Sequence, residues 1–251
     1  MLTSRRRLGN DVATIGWVAA AIMAALTTAW VASMALVQPP PADADLAAKL
    51  TYLADHPEAG LVGPSLVAAL ALLHIPVWVG LAAVAWSRRP AAGLLAVAFG
   101  LVYAPLASIN YWSQLTVVRG LADLVHTDPA AAVAAYRLFE FPGGLASFAY
   151  GVDVLAYVVW GVAALLACAA LAAVDGRLAK LTAALFGLGG LLAIIGGVGF
   201  VTQVDVLEVG VMLSGVVFLL GLVAAAALMH ATANDRMVAD VTLELHLPAG
   251  S

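Results

Sequence analysis

Six long apolar stretches dominate the chain, at residues 12–42, 59–87, 90–118, 141–174, 181–204 and 209–234, and Asp153 is the one Asp, Glu, Lys or Arg inside any of them. Each exceeds the roughly 20 residues that a helix needs to cross about 30 Å of hydrocarbon. Lipid offers no partner to a backbone N–H or C=O, so a spanning segment must be a helix or part of a closed barrel, and nothing here alternates with the period of a barrel strand. The sequence therefore predicts an all-α integral membrane bundle of six transmembrane helices. The spans are expected near residues 12–37, 62–86, 91–118, 145–173, 181–203 and 209–231, with residues 1–234 as the transmembrane domain and 235–251 as a cytoplasmic tail. Composition agrees, since 64% of the residues are hydrophobic and 10% charged, against about 25% charged in soluble domains.

Arg5, Arg6 and Arg7 precede an apolar run far longer than the roughly 7–15 residues of a secretory signal core, so the first stretch is read as an uncleaved helix. Basic residues set the orientation. With the N-terminus cytoplasmic, the inner segments hold Arg5, Arg6, Arg7, Arg88, Arg89, Arg177, Lys180 and Arg236, and the outer ones only Lys49, Arg119 and Arg137. That bias predicts a multi-pass protein of the cell membrane with both termini cytoplasmic. The outer loops gather acids instead: Asp43, Asp45, Asp55, Glu58, Asp123, Asp128, Glu140, Asp205 and Glu208.

Two outer loops carry helical signals. Leu46, Leu50 and Leu53 recur at helical spacing and predict a short amphipathic helix on the membrane surface. Asp128 before Pro129 is a helix-start signature, with Val133, Tyr136 and Phe139 on one face as far as Glu140, and Pro142, Gly143 and Gly144 ending the element. The inner connections are short. In the tail, Val241, Leu243, Leu245 and Leu247 alternate with polar residues as in a strand, but a single strand has nothing to pair with, so a mostly disordered tail is expected.

Gly189, Ala193 and Gly197 form a ladder of small residues that lets helix backbones approach. Packing within the bundle is its first reading, and a homo-oligomer contact its second. Cys168 is the only cysteine, which excludes an intrachain disulfide.

A lone carboxyl in a span costs roughly 2.5–3.5 kcal/mol to insert, which makes Asp153 the leading candidate for function. At 100° per residue, Tyr150, Asp153, Tyr157 and Trp160 share one stripe of the fourth span. Tyr103, Asn110 and Gln114 share a face of the third. In the second, His74 and Trp78 are four apart around Pro76. Depth estimates let these groups meet in the outer half of the bundle. With no intramembrane Lys or Arg to pair with, Asp153 is expected to be carried as the neutral acid. The ligand-binding candidates are Asp153, Asn110, Gln114, His74, Tyr103, Tyr150, Tyr157 and Trp78.

The chain lacks an HExxH pair, a spanning lysine for a Schiff base, a GxSxG elbow, a P-loop and a potassium-filter sequence. No catalytic set, metal site or cofactor is read from it, and no nucleic-acid partner. The lipid bilayer is the partner that composition dictates.

The stretch Ile109-Asn110-Tyr111-Trp112-Ser113-Gln114-Leu115-Thr116-Val117-Val118, followed by Ala134-Ala135-Tyr136-Arg137-Leu138-Phe139-Glu140, resembles uncharacterised bacterial multi-span membrane proteins of a domain-of-unknown-function family. The resemblance covers mainly spans three and four. It implies an integral membrane protein and no assigned reaction, and it draws attention to Asn110, Gln114, Arg137 and Glu140.

The functional expectation is a membrane protein that binds or senses a small amphipathic or lipid-like ligand, in a polar pocket opening outward between spans two, three and four. The alternatives are a proton-coupled small-molecule transporter using Asp153, a lipid-modifying enzyme using Asp153 with His74, and a structural membrane subunit.

Overall fold

A computed structural model describes residues 2–38, 40 and 44–245, with side chains described between residues 11 and 234 of that set. Asp43 and the tail beyond Leu245 lie outside the described residues. Among the described residues, nine α-helices and one π-helical turn follow in order: α1 (Leu2–Leu36), α2 (Leu46–Asp55), α3 (Pro57–Ala85), α4 (Pro90–Ser113), the π turn (Gln114–Val118), α5 (Arg119–Leu124), α6 (Pro129–Tyr136), α7 (Phe148–Leu171), α8 (Arg177–Thr202) and α9 (Asp205–Leu245).

Among the described residues, six segments are long and apolar enough to cross a membrane: Asp11–Leu36, Pro57–Ala85, Pro90–Leu124, Phe148–Leu171, Arg177–Thr202 and Asp205–Asn234. This is a multi-pass membrane bundle, and its surface fits lipid, with Leu72, Leu101, Trp112, Val206 and Met212 all exposed. The spans form a closed ring in chain order. α1 packs on α3, α3 on α4, α4 on α7, α7 on α8 and α8 on α9, and α9 returns to α1. Successive spans run in opposite directions, so α2, α5 and α6 all lie at one end, called here the capped end. The chain enters α1 and leaves α9 at the other.

Aromatic rings fill the middle of the ring of helices. Trp78 of α3 meets Trp160 of α7 at 6.4 Å between centroids and Phe186 of α8 at 5.5 Å, and Phe218 of α9 meets Trp160 at 4.8 Å. Around them, glycines let the helices close up. A Cβ on Gly161 of α7 would come within 2.7 Å of the Gly190 carbonyl of α8, and one on Gly16 of α1 within 2.8 Å of Gly80 Cα of α3. The Gly189, Ala193, Gly197 ladder is taken up in the same way. Gly189 lies under Trp160 and Val217, Ala193 is fully buried, and Gly197 abuts Val158. The ladder therefore packs inside the chain.

Proline and caps set the helix starts. Pro57, Pro90 and Pro129 begin α3, α4 and α6, where the missing N–H is one that the helix leaves unbonded anyway. Asp45, Asp128 and Ser147 cap α2, α6 and α7 by accepting backbone N–H bonds from Ala48, Ala131 and Tyr150.

Three expectations need correction. The third span does not end at Val118 but continues through the π turn to Leu124, because residues that follow Arg119 find partners in the cap. α2 does not merely rest on the membrane surface. Its Leu50 is fully buried with Val118, Ala122, Val125, Ala132 and Tyr136, in a second apolar core beneath α2, α5 and α6. Finally, the tail expected to be mostly disordered after residue 234 begins instead as helix, since α9 continues to Leu245.

Candidate functional site

Asp153 sits in the second turn of α7, just below the Ser147 cap, and Asn110 sits on α4 just before the π turn. Because α4 packs along α7, the two meet. Asp153 is 3% exposed and Asn110 is fully buried. Asn110 and its neighbour Tyr111 both approach the Asp153 carboxyl closely enough to act on it as donors. The approach stops short of hydrogen-bond geometry, however: Asp153 Oδ1 and both Asn110 side-chain polar atoms, Nδ2 and Oδ1, are buried without a hydrogen-bond partner. Buried polar atoms are nearly always paired, so three unpartnered atoms at one spot set this place apart from the rest of the bundle.

Tyrosines surround this spot. The hydroxyls of Tyr103 and Tyr111 on α4, and of Tyr150 and Tyr157 on α7, lie within electrostatic reach of the Asp153 carboxyl, and the Tyr111 and Tyr157 hydroxyls approach one another. Tyr103 and Tyr111 are buried, whereas Tyr157 keeps some exposure.

His74 stands on the α3 side. Its ring meets Tyr103 at 4.6 Å and stacks on Phe218 at 5.1 Å, and its Nδ1 lies 2.8 Å from the Leu70 carbonyl. A carbonyl accepts only, so Nδ1 carries a proton. No hydrogen bond joins His74 to Asp153 among the described residues.

The other candidates serve elsewhere. Gln114 is buried, but its Nε2 donates to the Phe139 carbonyl at 2.9 Å, tying the π turn to the segment after α6. Tyr150 donates its hydroxyl to Glu208 Oε1 of α9 at 2.8 Å, an anchor between spans. Trp78 belongs to the aromatic centre, farther from the capped end, and its indole Nε1 is buried without a partner, as is that of Trp160. It lines a crevice with Ala82, Gly93, Ala96 and Ala167 that is too narrow to hold a water molecule.

The site is covered at the capped end. Phe141, in the segment between α6 and α7, packs edge-on against Tyr111 at 5.8 Å and Tyr150 at 5.6 Å and closes the capped side. That segment is itself held down. Lys49 Nζ of α2 donates to Glu140 Oε1 at 2.8 Å, Ser147 Oγ donates to the Glu140 carbonyl at 2.7 Å, and Ala149 N–H to the Leu138 carbonyl at 3.0 Å. Burial within the cap, and the Glu140 charge beside it, push the Tyr136 hydroxyl up to about 12.

Tyr111, Phe141, Phe218 and Glu208 were not among the sequence candidates. Tyr111 carried a signal, since it directly follows Asn110, but it lies a helical step off the face that Asn110 shares with Tyr103. Phe218 and Phe141 read as ordinary apolar residues. Glu208 read as a loop acid, and nothing in the chain links it to Tyr150, 58 positions away.

Among the described residues, no group of three or more His, Cys, Asp or Glu side chains is placed to hold a metal ion. Comparison with protein-family models, with curated proteins and with solved structures found no match to this chain.

Proposed function

We propose that this membrane protein binds or senses a small amphipathic molecule, with Asp153 and Asn110 receiving its polar group and the tyrosine and His74 rings bordering its apolar part. The observation that carries the reading is the group of three unpartnered polar atoms at Asp153 and Asn110, buried where two spans touch. Bundle cores seal their polar groups with interhelical hydrogen bonds, and here the packing brings donor and acceptor together without joining them. The cap supports the same reading, since a segment held by side-chain bonds rather than by a spanning helix can release more readily than the bundle itself. The distribution of Lys and Arg supports placing the cap outside and both chain ends in the cytoplasm.

The test is to reconstitute wild type and Asp153→Asn and to identify the small molecules and lipids each retains on purification. Loss of a specific retained molecule in the variant is the expected result. Identical retention, with unchanged stability, would sink the reading.

Proton-coupled transport is the second reading, and one observation favours it. The hydroxyls of Tyr111, Tyr157 and Tyr103 lead from Asp153 toward the His74 ring, a sequence of groups able to pass a proton through the bundle. Uptake into liposomes driven by a pH gradient, and abolished in Asp153→Asn, would favour it over binding alone.

A further inference from the structure

The geometry points to an organic ammonium as the polar group that the Asp153 site takes. This inference rests on the binding reading above and narrows it to one ligand chemistry.

Consider what each ligand class would meet. A carboxylate or phosphate would approach a carboxyl group with no Lys or Arg available, because neither residue occurs in α3, α4 or α7. An alcohol has one proton to donate, and would leave most of the acceptors at the site unmet. A primary ammonium carries three donors. Asp153 Oδ1 and Asn110 Oδ1 are two buried, unpartnered acceptors, and the hydroxyl oxygens of Tyr111 and Tyr157 supply a third nearby. With the ammonium seated there, Asn110 Nδ2 is free to donate to the carboxylate, which accounts for the third orphan.

Aromatic rings reinforce the choice. Tyr103, Tyr111 and Tyr157 border the carboxyl, and a cation near tyrosine faces is attracted by their negative quadrupole. A cation also supplies the countercharge that no spanning residue provides to Asp153. The enclosure of the site excludes water, which strengthens both attractions. A protonated amine is thus the one class that meets the unpartnered acceptors, the lone carboxyl and the rings together.

The test uses three ligands of matched chain length, octylamine, octanol and octanoate, added below their micellar concentrations to the full-length protein in nanodiscs, with binding followed by intrinsic tryptophan fluorescence and by thermal shift. Octylamine is expected to bind wild type most tightly, and to weaken by about thirtyfold or more in Asp153→Asn, the loss typical of removing one partner from a buried charge pair. Asp153→Glu, which keeps the charge, is expected to retain the preference for the amine. Equal binding of octanol and octylamine to wild type would overturn the ammonium assignment while leaving amphiphile binding standing. Amine binding that survives Asp153→Asn would overturn it as well. Failure of all three ligands to bind wild type would overturn both this inference and the reading beneath it. The ranking of ligands on wild type needs no variant, so poor folding of Asp153→Asn would not shield the proposal.

Discussion

Gln114 Nε2 donates to the Phe139 carbonyl at 2.9 Å, and this bond joins the π turn of the third span to the segment that closes over Asp153. A π turn is a costly deviation that is common where a helix serves a site. Replacing Gln114 with Leu removes the donor and leaves the Phe139 carbonyl unmet. A loss of about 1–3 kcal/mol is expected, read as a lower unfolding midpoint in mild detergent. The change should appear first as faster hydrogen exchange in residues 137–147. Unchanged exchange there would show that Gln114 does not hold the cap.

Lys49 and Glu140 provide a second hold on the same segment from α2. Their side chains are about one-fifth exposed, between the freely solvated and the fully buried case. A double-mutant cycle with Lys49→Met and Glu140→Gln is expected to give a coupling of about 0.5–1.5 kcal/mol that shrinks as salt is added. A coupling indistinguishable from zero at low salt would reduce the pair to a surface contact.

The spans and the helices in the cap were legible because they depend on local chemistry: uncharged length for the spans, Asp128 followed by Pro129 for one cap helix, and Leu46, Leu50 and Leu53 at helical spacing for the other. The meeting of Asp153 with Asn110 was legible too, through helical stripes and estimated depth. What escaped was whatever depended on helix-to-helix placement. The π turn carries no sequence mark, so Gln114 was assigned to the face of Asn110 when its amide in fact turns toward Phe139. The closure by Phe141 follows from a loop trajectory that no periodicity encodes. The fate of the Gly189 ladder depended on which neighbours reached it, and Trp160 and Val158 reached it from within the chain.

Two glycines separate close packing from open space. A Cβ on Gly100 of α4 would collide with the indole of Trp78, which is 1% exposed and walled in by Trp160 and Phe186, whereas one on Gly151 of α7 would meet nothing within 4 Å. Gly100→Ala is therefore expected to cost about 1–3 kcal/mol by overpacking. Gly151→Ala is expected to be neutral, or to stabilise by up to about 1 kcal/mol through the stiffer unfolded chain. Thermal unfolding of both variants checks the contrast, and equal effects would refute the tight fit of Trp78 against α4.

Tyr136 ties the cap to alkaline pH. Its hydroxyl is raised from its ordinary value of 10.0 to about 12 by burial first and by the Glu140 charge second. Between these values the folded protein holds a proton that the unfolded chain has released, so stability falls as pH rises across that window. The contribution is fully present below pH 10 and lost above about pH 12, and two pH units of difference correspond to no more than about 2–3 kcal/mol. Tyr136→Phe has no proton to lose. The difference in unfolding midpoint between wild type and Tyr136→Phe should therefore be constant below pH 10 and shift against wild type from pH 10 to 12. A difference that stays flat over that range would mean that Tyr136 ionises no less readily folded than unfolded.

Asp153→Asn bears on the cost of the site rather than on its ligand. The carboxyl has no cationic partner among the described residues, and its Oδ1 makes no hydrogen bond. Removing a partnered buried charge destabilises by leaving its partner stranded, but an unpartnered one strands nothing. The neutral acid expected of Asp153 without ligand and an amide of the same shape are both uncharged, so the exchange adds little burial cost. The variant is expected to unfold at the same temperature as ligand-free wild type or somewhat higher, with equal or better expression in the membrane. Asn110→Leu should behave alike, since it removes two unpaired polar atoms from a fully buried position. A protein that keeps two such costly residues where leucine would be tolerated keeps them for something other than its fold. A marked loss of stability in either variant, measured without added ligand, would return Asp153 and Asn110 to a purely structural role.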